Sequence, residues 1–175
     1  MTAQRTAQST GESQETVVVT RPGEARGTWA MGSLFEHLAE AGSTDGRLGV
    51  ALVTQPPGIA TPLHRHTQEA EAFYLLEGRM SYRAGDDVHE LTGGDFIYLP
   101  QGLPHAFRIR GDAPARILAL TVPGGLLALY DEVGIPAAEL RLPGEDGQTP
   151  EVEIPKWAEV GPRYGLEVVG PPIPE

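Results

Sequence analysis

The sequence predicts an all-β domain, a closed or double-sheet antiparallel barrel followed by short helices. From Val17 onward, short apolar stretches follow one another, many with alternating apolar and polar residues. Gly, Pro or Asp interrupts these stretches at intervals of about ten residues, which is typical of short strands joined by tight turns. The chain has 175 residues, of which 40% are hydrophobic, and this is enough for one well-filled core.

The barrel is expected over residues 17–123. Residues 1–16 are polar and are expected to form a disordered tail, because they cannot bury enough surface to offset the entropy of ordering. Residues 29–40 are ambiguous, since their leucines have helical spacing and their larger residues suit one face of a strand; we favour the strand. The remaining strands are expected at 47–54, 71–76, 79–83, 88–91, 96–99, 105–110 and 115–122.

Residues 124–175 are expected to form a helical and extended segment that packs on the barrel or on a dimer partner. A helical period begins after residue 125, with Gly134 placed as its C-cap, and a second short helix is expected from Pro136. The chain then becomes Pro-rich and acidic. The apolar residues expected to anchor this tail to the barrel or to a second subunit are Val152, Ile154, Trp157, Tyr164 and Leu166.

Composition limits the possible partners and chemistry. The formal charge of -11 opposes binding to phosphate backbones, so nucleic acid is not an expected partner. The sequence contains neither a long apolar run nor a secretory signal, so we expect no membrane partner and a cytoplasmic protein. Because there are no cysteines, a metal site would have to use His, Asp and Glu.

Two short blocks of sequence predict a metal site. The first has the pattern G-x5-H-x-H-x4-E-x6-G, and the second, 15 residues later, has the pattern G-x5-P-x-G-x2-H. The candidate ligands are His64, His66, Glu71 and His105. Such a set suits Fe, Mn, Ni, Co, Cu or Zn and suits Ca or Mg poorly, so we expect one divalent transition metal per subunit. On a six-coordinate ion about two positions would remain for a substrate oxygen and for O2 or water.

Strand geometry explains how the four side chains can meet. His64 and His66 are two residues apart, so on an extended segment both leave the same face. Side chains alternate between the two faces of a strand, and in the next strand Glu71 falls on the inward face. Glu69 is interpreted as a turn residue. The prolines and glycine before His105 are expected to form a tight corner that returns this imidazole to the barrel interior.

Other residues have less specific interpretations. The aromatic residues Phe73, Tyr98 and Phe107 are candidates for the wall of a substrate cavity, although aromatic residues of barrel strands more often belong to the core. His37 and His89 are expected to be ordinary packed or surface histidines.

The two blocks resemble the two conserved motifs of the cupin superfamily and match every signature position up to His105. The usual final position, often Asn, is Ile109 here, which removes a polar contact but none of the four ligands. The resemblance implies a cupin double-stranded β-helix, a jelly-roll-like barrel. It also implies a homodimer, because cupins commonly dimerise through their terminal segments.

A finer resemblance is to the small bacterial quercetinases, which cleave flavonols with O2. It is based on residues 121–143 and on EAFYLLEG from Glu71. It implies that the four candidate residues bind the metal and that Glu71 is also the base toward the substrate hydroxyl. The leading hypothesis is therefore O2-dependent cleavage of a flavonol-like or enolic phenol. A redox-neutral isomerase, cyclase or decarboxylase and a non-catalytic small-molecule-binding cupin remain alternatives.

Overall fold

The fold is that of an all-β protein with two antiparallel sheets. The computed structural model describes residues 17–144 and 154–175. The tail predicted at residues 1–16, and Val152 of the predicted anchor, lie outside the described residues. The strands are β1 Arg26–Ala30, β2 Ser33–Ala39, β3 Gly49–Gln55, β4 Leu63–His66, β5 Ala70–Glu77, β6 Arg79–Ala84, β7 Asp87–Thr92, β8 Phe96–Leu99, β9 His105–Arg110, β10 Ala115–Val122, β11 Ile135–Pro136 and β12 Leu166–Gly170.

The two sheets face each other and have different sizes. The larger has the order β11-β1-β2-β3-β10-β5-β8, and the smaller has the order β12-β4-β9-β6-β7. Along β3 and β10 buried residues alternate with half-buried or exposed ones, as expected for strands with one face toward the core. The predicted all-β, jelly-roll-like architecture is confirmed.

The ambiguous residues 29–40 form strands, as favoured from the sequence. They span most of the β1–β2 hairpin, whose turn is formed by Met31 and Gly32 with φ values of 51° and 73°. The turn was not predicted, because a two-residue turn with positive φ at both positions is usually marked by Asn-Gly or Asp-Gly rather than by methionine.

A short helix follows the barrel, as predicted. After a 3-10 turn at Gly124–Leu126, helix α1 spans Leu127–Val133 and ends at Gly134. Gly134 is extended, with φ of -101°, so it does not serve as a left-handed cap. Glycine is required there because a Cβ atom would lie 2.4 Å from the carbonyl oxygen of Trp29.

The second helix predicted from Pro136 is wrong. Ile135 and Pro136 form β11, which pairs with β1 at the edge of the larger sheet. Proline is tolerated on an edge strand because its missing N–H is not needed for a further ladder.

The described part of the tail packs on its own barrel. Helix α2 spans Ile154–Val160, a 3-10 turn follows at Gly161–Tyr164, and β12 then pairs with β4. Trp157 and Leu166 are 1% and 0% exposed and belong to the hydrophobic core. The C-terminal segment therefore supplies a strand next to β4 and a buried indole, while the domain boundary at residues 123 and 124 remains a prediction.

Within the described part of the chain, most of the buried apolar residues form two clusters. One joins β1–β3 to the two α-helices, and the other fills the space among β5, β6, β9 and β10. Phe73 of β5 packs against both clusters. None of the helices in the described ranges is long and apolar enough to cross a membrane.

Candidate metal centre

Three strands bring the four candidate ligands together. His64 and His66 lie on β4, Glu71 lies at the start of β5 and His105 lies at the start of β9. The antiparallel pairing of β4 with β9 puts His64 directly opposite His105. All four side chains are buried, with exposures between 2% and 6%. Each predicted ligand therefore reaches the same point inside the barrel.

The side chains of this group are close enough to share one ion. Glu71 Oε2 lies 3.1 Å from His66 Nε2 and 3.0 Å from His105 Nε2. The imidazole rings of His64 and His105 have centroids 4.3 Å apart. Taking one ligand atom from each residue, all four atoms lie within 4.8 Å of one another. This spacing fits a site for one metal ion.

Backbone carbonyls fix the orientation of two of the rings. His64 Nδ1 lies 2.8 Å from the carbonyl oxygen of Pro62, and His105 Nδ1 lies 2.9 Å from that of Leu103. A carbonyl oxygen only accepts hydrogen bonds, so each Nδ1 carries the hydrogen. In the neutral ring Nε2 then has a free lone pair, which is the form that binds a metal.

The protonation states of His64 and Glu71 suit metal binding. Burial lowers the pKa of His64 to about 3, and positive charge on His105 or His66 adds to this shift. Burial acts to raise the pKa of Glu71, but the adjacent His66 and His105 outweigh it and hold the pKa well below its usual range. A neutral imidazole and an ionised carboxylate are the ligand forms that a divalent cation requires. Burial acts to lower the pKa of His66, but the adjacent Glu71 outweighs it and raises that pKa, so a metal would displace a proton from this ring.

The group leaves buried nitrogen atoms without partners, which a metal would satisfy. His66 Nε2 and His105 Nε2 are close to Glu71 but not in hydrogen-bond geometry, and both lack a hydrogen-bond partner among residues 17–144 and 154–175. Buried polar groups are normally paired. Three imidazoles and a carboxylate therefore fit a divalent transition metal, whose identity the donor set does not determine.

A narrow cavity extends from this group into the barrel. His64, Glu71 and His105 line it together with mainly apolar side chains, and its volume is about 50 Å³. This is room for a few water molecules. Phe73 and Phe107, two of the three aromatic residues suggested for a substrate pocket, lie in its wall; their contact with a substrate stays a prediction.

The prediction for Tyr98 requires a correction. Tyr98 is 59% exposed, whereas its neighbour Leu99 is 1% exposed, so the two lie on opposite faces of β8. Tyr98 therefore points away from the cavity, and its residue type alone did not reveal the face.

Several cavity residues were missed from the sequence. Trp157 was predicted only as a tail anchor, but its indole contacts the imidazole of His64 edge to face, with centroids 5.0 Å apart. Tyr130 of α1 also lines the cavity and stacks on Phe35 at 4.2 Å. Both arrive from the C-terminal segment. Ser33 at the start of β2 and Gln55 at the end of β3 also line the cavity. In the sequence, only their positions in the alternation of inward and outward residues could have predicted this.

The residues expected to have ordinary roles are placed as follows. His89 is exposed and His37 is buried. His37 lies near Glu40 and Asp131, a second group with possible metal ligands. The guanidinium of Arg26 already pairs with Glu40 at 2.9 Å and with Asp131 at 2.7 Å. This second group is therefore an ion-pair network.

Two further positions clarify the motifs. Glu69 lies in the short connection between β4 and β5, directly after a bend at residues 67–68, but its side chain is only 4% exposed. Ile109, at the position where the second motif often carries Asn, is 1% exposed and packs in the core. The departure from the motif thus replaces a polar contact by apolar packing.

Known proteins share this architecture and these motifs. Residues 51–121, which contain all four candidate ligands, match the Cupin_2 family of cupin domains. A crystal structure from Thermotoga maritima, described as a predicted oxalate decarboxylase, matches with a TM-score of 0.54 and 20% identity, covering 62% of this chain and 99% of that one. This likeness shows the fold.

Two relatives extend the comparison to sequence. The chain is 32% identical over 93 residues to the uncharacterized protein MJ1618 of Methanocaldococcus jannaschii, covering 53% of this chain and 74% of that protein. It is 28% identical over 99 residues to quercetin 2,3-dioxygenase of Bacillus subtilis, covering 57% of this chain but only 29% of the Bacillus protein. Fold, motifs and relatives agree, and the chain belongs to the cupin superfamily.

Proposed function

We propose that this cupin is a metal-dependent dioxygenase that cleaves a flavonol-like or other enolic phenolic substrate with O2. The observation that carries the proposal is the buried group of three imidazoles and one carboxylate at the end of an apolar cavity. The similarity of 99 residues to a quercetin 2,3-dioxygenase supports the substrate class.

In this proposal His64, His66, Glu71 and His105 hold one divalent transition metal. A bound metal of this kind would polarise an enolate oxygen and allow electron transfer to O2. The carbonyl contacts of His64 and His105 fix their rings so that Nε2 faces the ion.

Glu71 is assigned a second role as the general base. Its Oε2 atom faces His66 and His105, so we assign Oε1 to accept the proton of the substrate hydroxyl. A carboxylate with a lowered pKa is ionised near neutral pH, so Oε1 is free to accept a proton, but the lowered pKa also makes Glu71 a weaker base than an ordinary glutamate. The substrate would then be held as its anion, the electron-rich form that reacts with O2.

The cavity walls would protect this anion from water. Phe73 and Phe107 line the cavity beside the metal group, and the indole of Trp157 lies against His64. Because the cavity volume is about 50 Å³, an aromatic substrate must displace side chains as it enters. These apolar side chains would then pack around the substrate and exclude water from the reacting atoms.

The direct test is O2 consumption by protein loaded separately with Fe, Mn, Ni, Co and Zn, with quercetin as substrate. We expect one O2 consumed per quercetin with at least one redox-active metal and none with Zn. Product formed equally well under argon would contradict the dioxygenase proposal.

One observation favours a second candidate. The small volume of the cavity leaves little space for O2 beside an aromatic substrate, which favours a redox-neutral isomerisation, cyclisation or decarboxylation. In that case the metal would act only as a Lewis acid, and Zn would support turnover as well as Fe or Ni. Turnover of an enolic substrate under argon by the Zn-loaded protein would establish this candidate.

We also infer that the chain forms a homodimer through the outer face of the larger sheet. This face carries Tyr74 and Leu76 on β5, Phe96 and Tyr98 on β8 and Val122 on β10, all of them exposed. The tyrosines and the phenylalanine are 39%, 59% and 60% exposed. At about 200 Å² for a whole aromatic residue they leave about 300 Å² in water. That is over a third of the roughly 800 Å² that each partner buries in a standard interface.

A second copy is the occupant that fits this face. Residues 1–16 and 145–153, which the structure does not describe, are polar or acidic and offer little apolar surface to cover it. Sedimentation analysis should give a dimer for the wild type and a monomer for Phe96→Arg/Tyr98→Asp. Val88→Asp, which replaces an exposed apolar residue of the smaller sheet, should remain dimeric. A monomeric wild type would overturn the inference.

A further inference from the structure

The cavity has a second polar end, formed by Ser33 on β2 and Gln55 on β3. Both side chains line the cavity, and they are 1% and 7% exposed. Ser33 Oγ and Gln55 Oε1 have no hydrogen-bond partner among residues 17–144 and 154–175. These are buried, polar and unsatisfied atoms in a cavity wall that is otherwise mainly apolar.

Strand register makes Ser33 and Gln55 neighbours. Leu34 pairs with Thr54 in the antiparallel β2–β3 ladder, so the next position places Ser33 opposite Gln55. The next inward-facing pair, Phe35 and Val53, lies two positions further along the ladder and also lines the cavity. The hydroxyl and the amide therefore enter the cavity side by side.

This polar pair lies far from the metal group. Along β10, Gln55 pairs with Ala115 and Glu71 pairs with Thr121. At about 3.3 Å per residue, the distance along β10 from the position that pairs with Gln55 to the position that pairs with Glu71 is about 20 Å. The two side chains extend inward from the backbone, so their polar atoms are closer together than this. A ligand that reaches both ends must therefore be elongated, longer than a single ring.

Leaving such atoms unpaired opposes folding, because a buried polar atom loses its bonds to water. The buried hydroxyl of Thr28 avoids that cost, because it bonds to Asp131 at 2.7 Å and to His37 at 3.0 Å. Ser33 and Gln55 have no such partners. A ligand in the cavity would supply them.

We propose that Ser33 and Gln55 bind a hydroxyl group at the far end of an extended aromatic substrate whose near end carries the enolic oxygen. The distal hydroxyl donates to Gln55 Oε1 and accepts from the hydroxyl of Ser33, so one phenol satisfies both atoms. This inference rests on the proposed substrate class but not on the use of O2. It makes the two residues determinants of specificity, not of chemistry.

The substrate must enlarge the cavity, and the wall at this end permits it. Met31, two residues before Ser33 in the β1–β2 turn, lines the cavity and is only partly buried. Its unbranched side chain adapts more readily than a branched or aromatic one. Movement of Met31 would lengthen the cavity beside the polar pair without moving a strand.

The test is equilibrium binding of two flavonols to the Zn-loaded protein under argon, followed by quenching of tryptophan fluorescence. Kaempferol carries hydroxyls on both outer rings, and 3-hydroxyflavone has the same metal-binding oxygens without them. The measured quantity is the dissociation constant of 3-hydroxyflavone divided by that of kaempferol. We expect Ser33→Ala and Gln55→Leu each to lower this ratio about tenfold relative to the wild type. Ser81→Ala, which alters a serine that is also 1% exposed but is bonded to Glu90 and lies outside the cavity lining, should leave it unchanged.

Each outcome has a distinct meaning. Unchanged ratios in folded Ser33→Ala and Gln55→Leu proteins, with both flavonols bound, would overturn this inference and leave the proposed function intact. If neither flavonol binds the metal-loaded wild type, the proposed substrate class fails, and this inference fails with it. Far-ultraviolet circular dichroism of each variant establishes that it is folded. If Gln55→Leu does not fold, Ser33→Ala alone decides.

Discussion

Replacement of Glu71 by glutamine tests both roles assigned to this residue. The substitution keeps the shape of the side chain and removes its charge. In the wild type, Oε2 lies 3.1 Å from His66 Nε2 and 3.0 Å from His105 Nε2. An amide in this position binds a cation less well than a carboxylate and is a far weaker base.

The structure sets the size of the expected effect. Loss of even an outer contact of a metal ligand typically lowers metal affinity about 10–100-fold, and the loss of a charged ligand at 6% exposure should cost at least as much. Once the metal is saturating, loss of the base should lower turnover by about 10²–10⁴-fold. Binding of the flavonol should change much less, because the three imidazoles remain.

The assay measures metal affinity by titration and turnover by O2 consumption at saturating metal. Glu69→Gln is the matched control, because Glu69 is also buried, at 4% exposure, but does not belong to the four-residue group. We expect Glu69→Gln to retain nearly wild-type turnover. Wild-type turnover by Glu71→Gln at full metal occupancy would refute the assignment of the base. A metal-loaded wild type that binds the flavonol but shows no turnover, with binding unchanged in Glu71→Gln, would instead indicate a binding module.

Three further predictions concern stability, measured by urea unfolding. Gly134→Ala should lower the free energy of unfolding by about 2 kcal/mol, because the new Cβ would lie 2.4 Å from a carbonyl oxygen of β1. Gly42→Ala is the control and should have little effect, because no atom lies within 4 Å of a Cβ at that position. Gln55→Leu should raise the free energy of unfolding of the ligand-free protein by about 1 kcal/mol, since it removes an unpaired buried oxygen; a loss of that size would contradict the view that this oxygen is unsatisfied. Asp131→Asn should cost about 1 kcal/mol at pH 7, because the partly exposed carboxylate pairs with Arg26. Burial opposes ionisation of Asp131, but hydrogen bonds from Arg26 outweigh it and lower the pKa of the carboxyl group. The stabilisation therefore exists above the pKa of the unfolded state, and the difference in unfolding free energy between wild type and Asp131→Asn should shrink as the pH falls below about 4. A difference of the same size at pH 3 would refute this.

Local patterns were enough to predict the metal group. The spacing of His64 and His66 is a property of one strand, and the parity of Glu71 follows from the next. The corner before His105 is encoded by its own prolines and glycine. Because each of these signals lies within a few residues, the sequence predicted all four positions.

The rest of the cavity depends on pairings that local patterns do not reveal. Trp157 reaches His64 only because β12 pairs with β4 and carries α2 to the barrel. The face of Tyr98 depends on the register of β8 against β5. Pro136 fits the start of a helix, but tertiary pairing with β1 prevailed over that preference. Long-range register, rather than residue type, decided these positions.

His64, His66, Glu71 and His105 are expected to hold one metal ion per chain. The most direct measurement is the metal-to-protein ratio after loading with Co(II) and removal of free metal, determined by elemental analysis. We expect about one cobalt per chain for the wild type and for His37→Ala, which alters a buried histidine outside the group. His64→Ala/His105→Ala should retain almost none. Equal cobalt contents in all three proteins would mean that these four residues do not form the metal site.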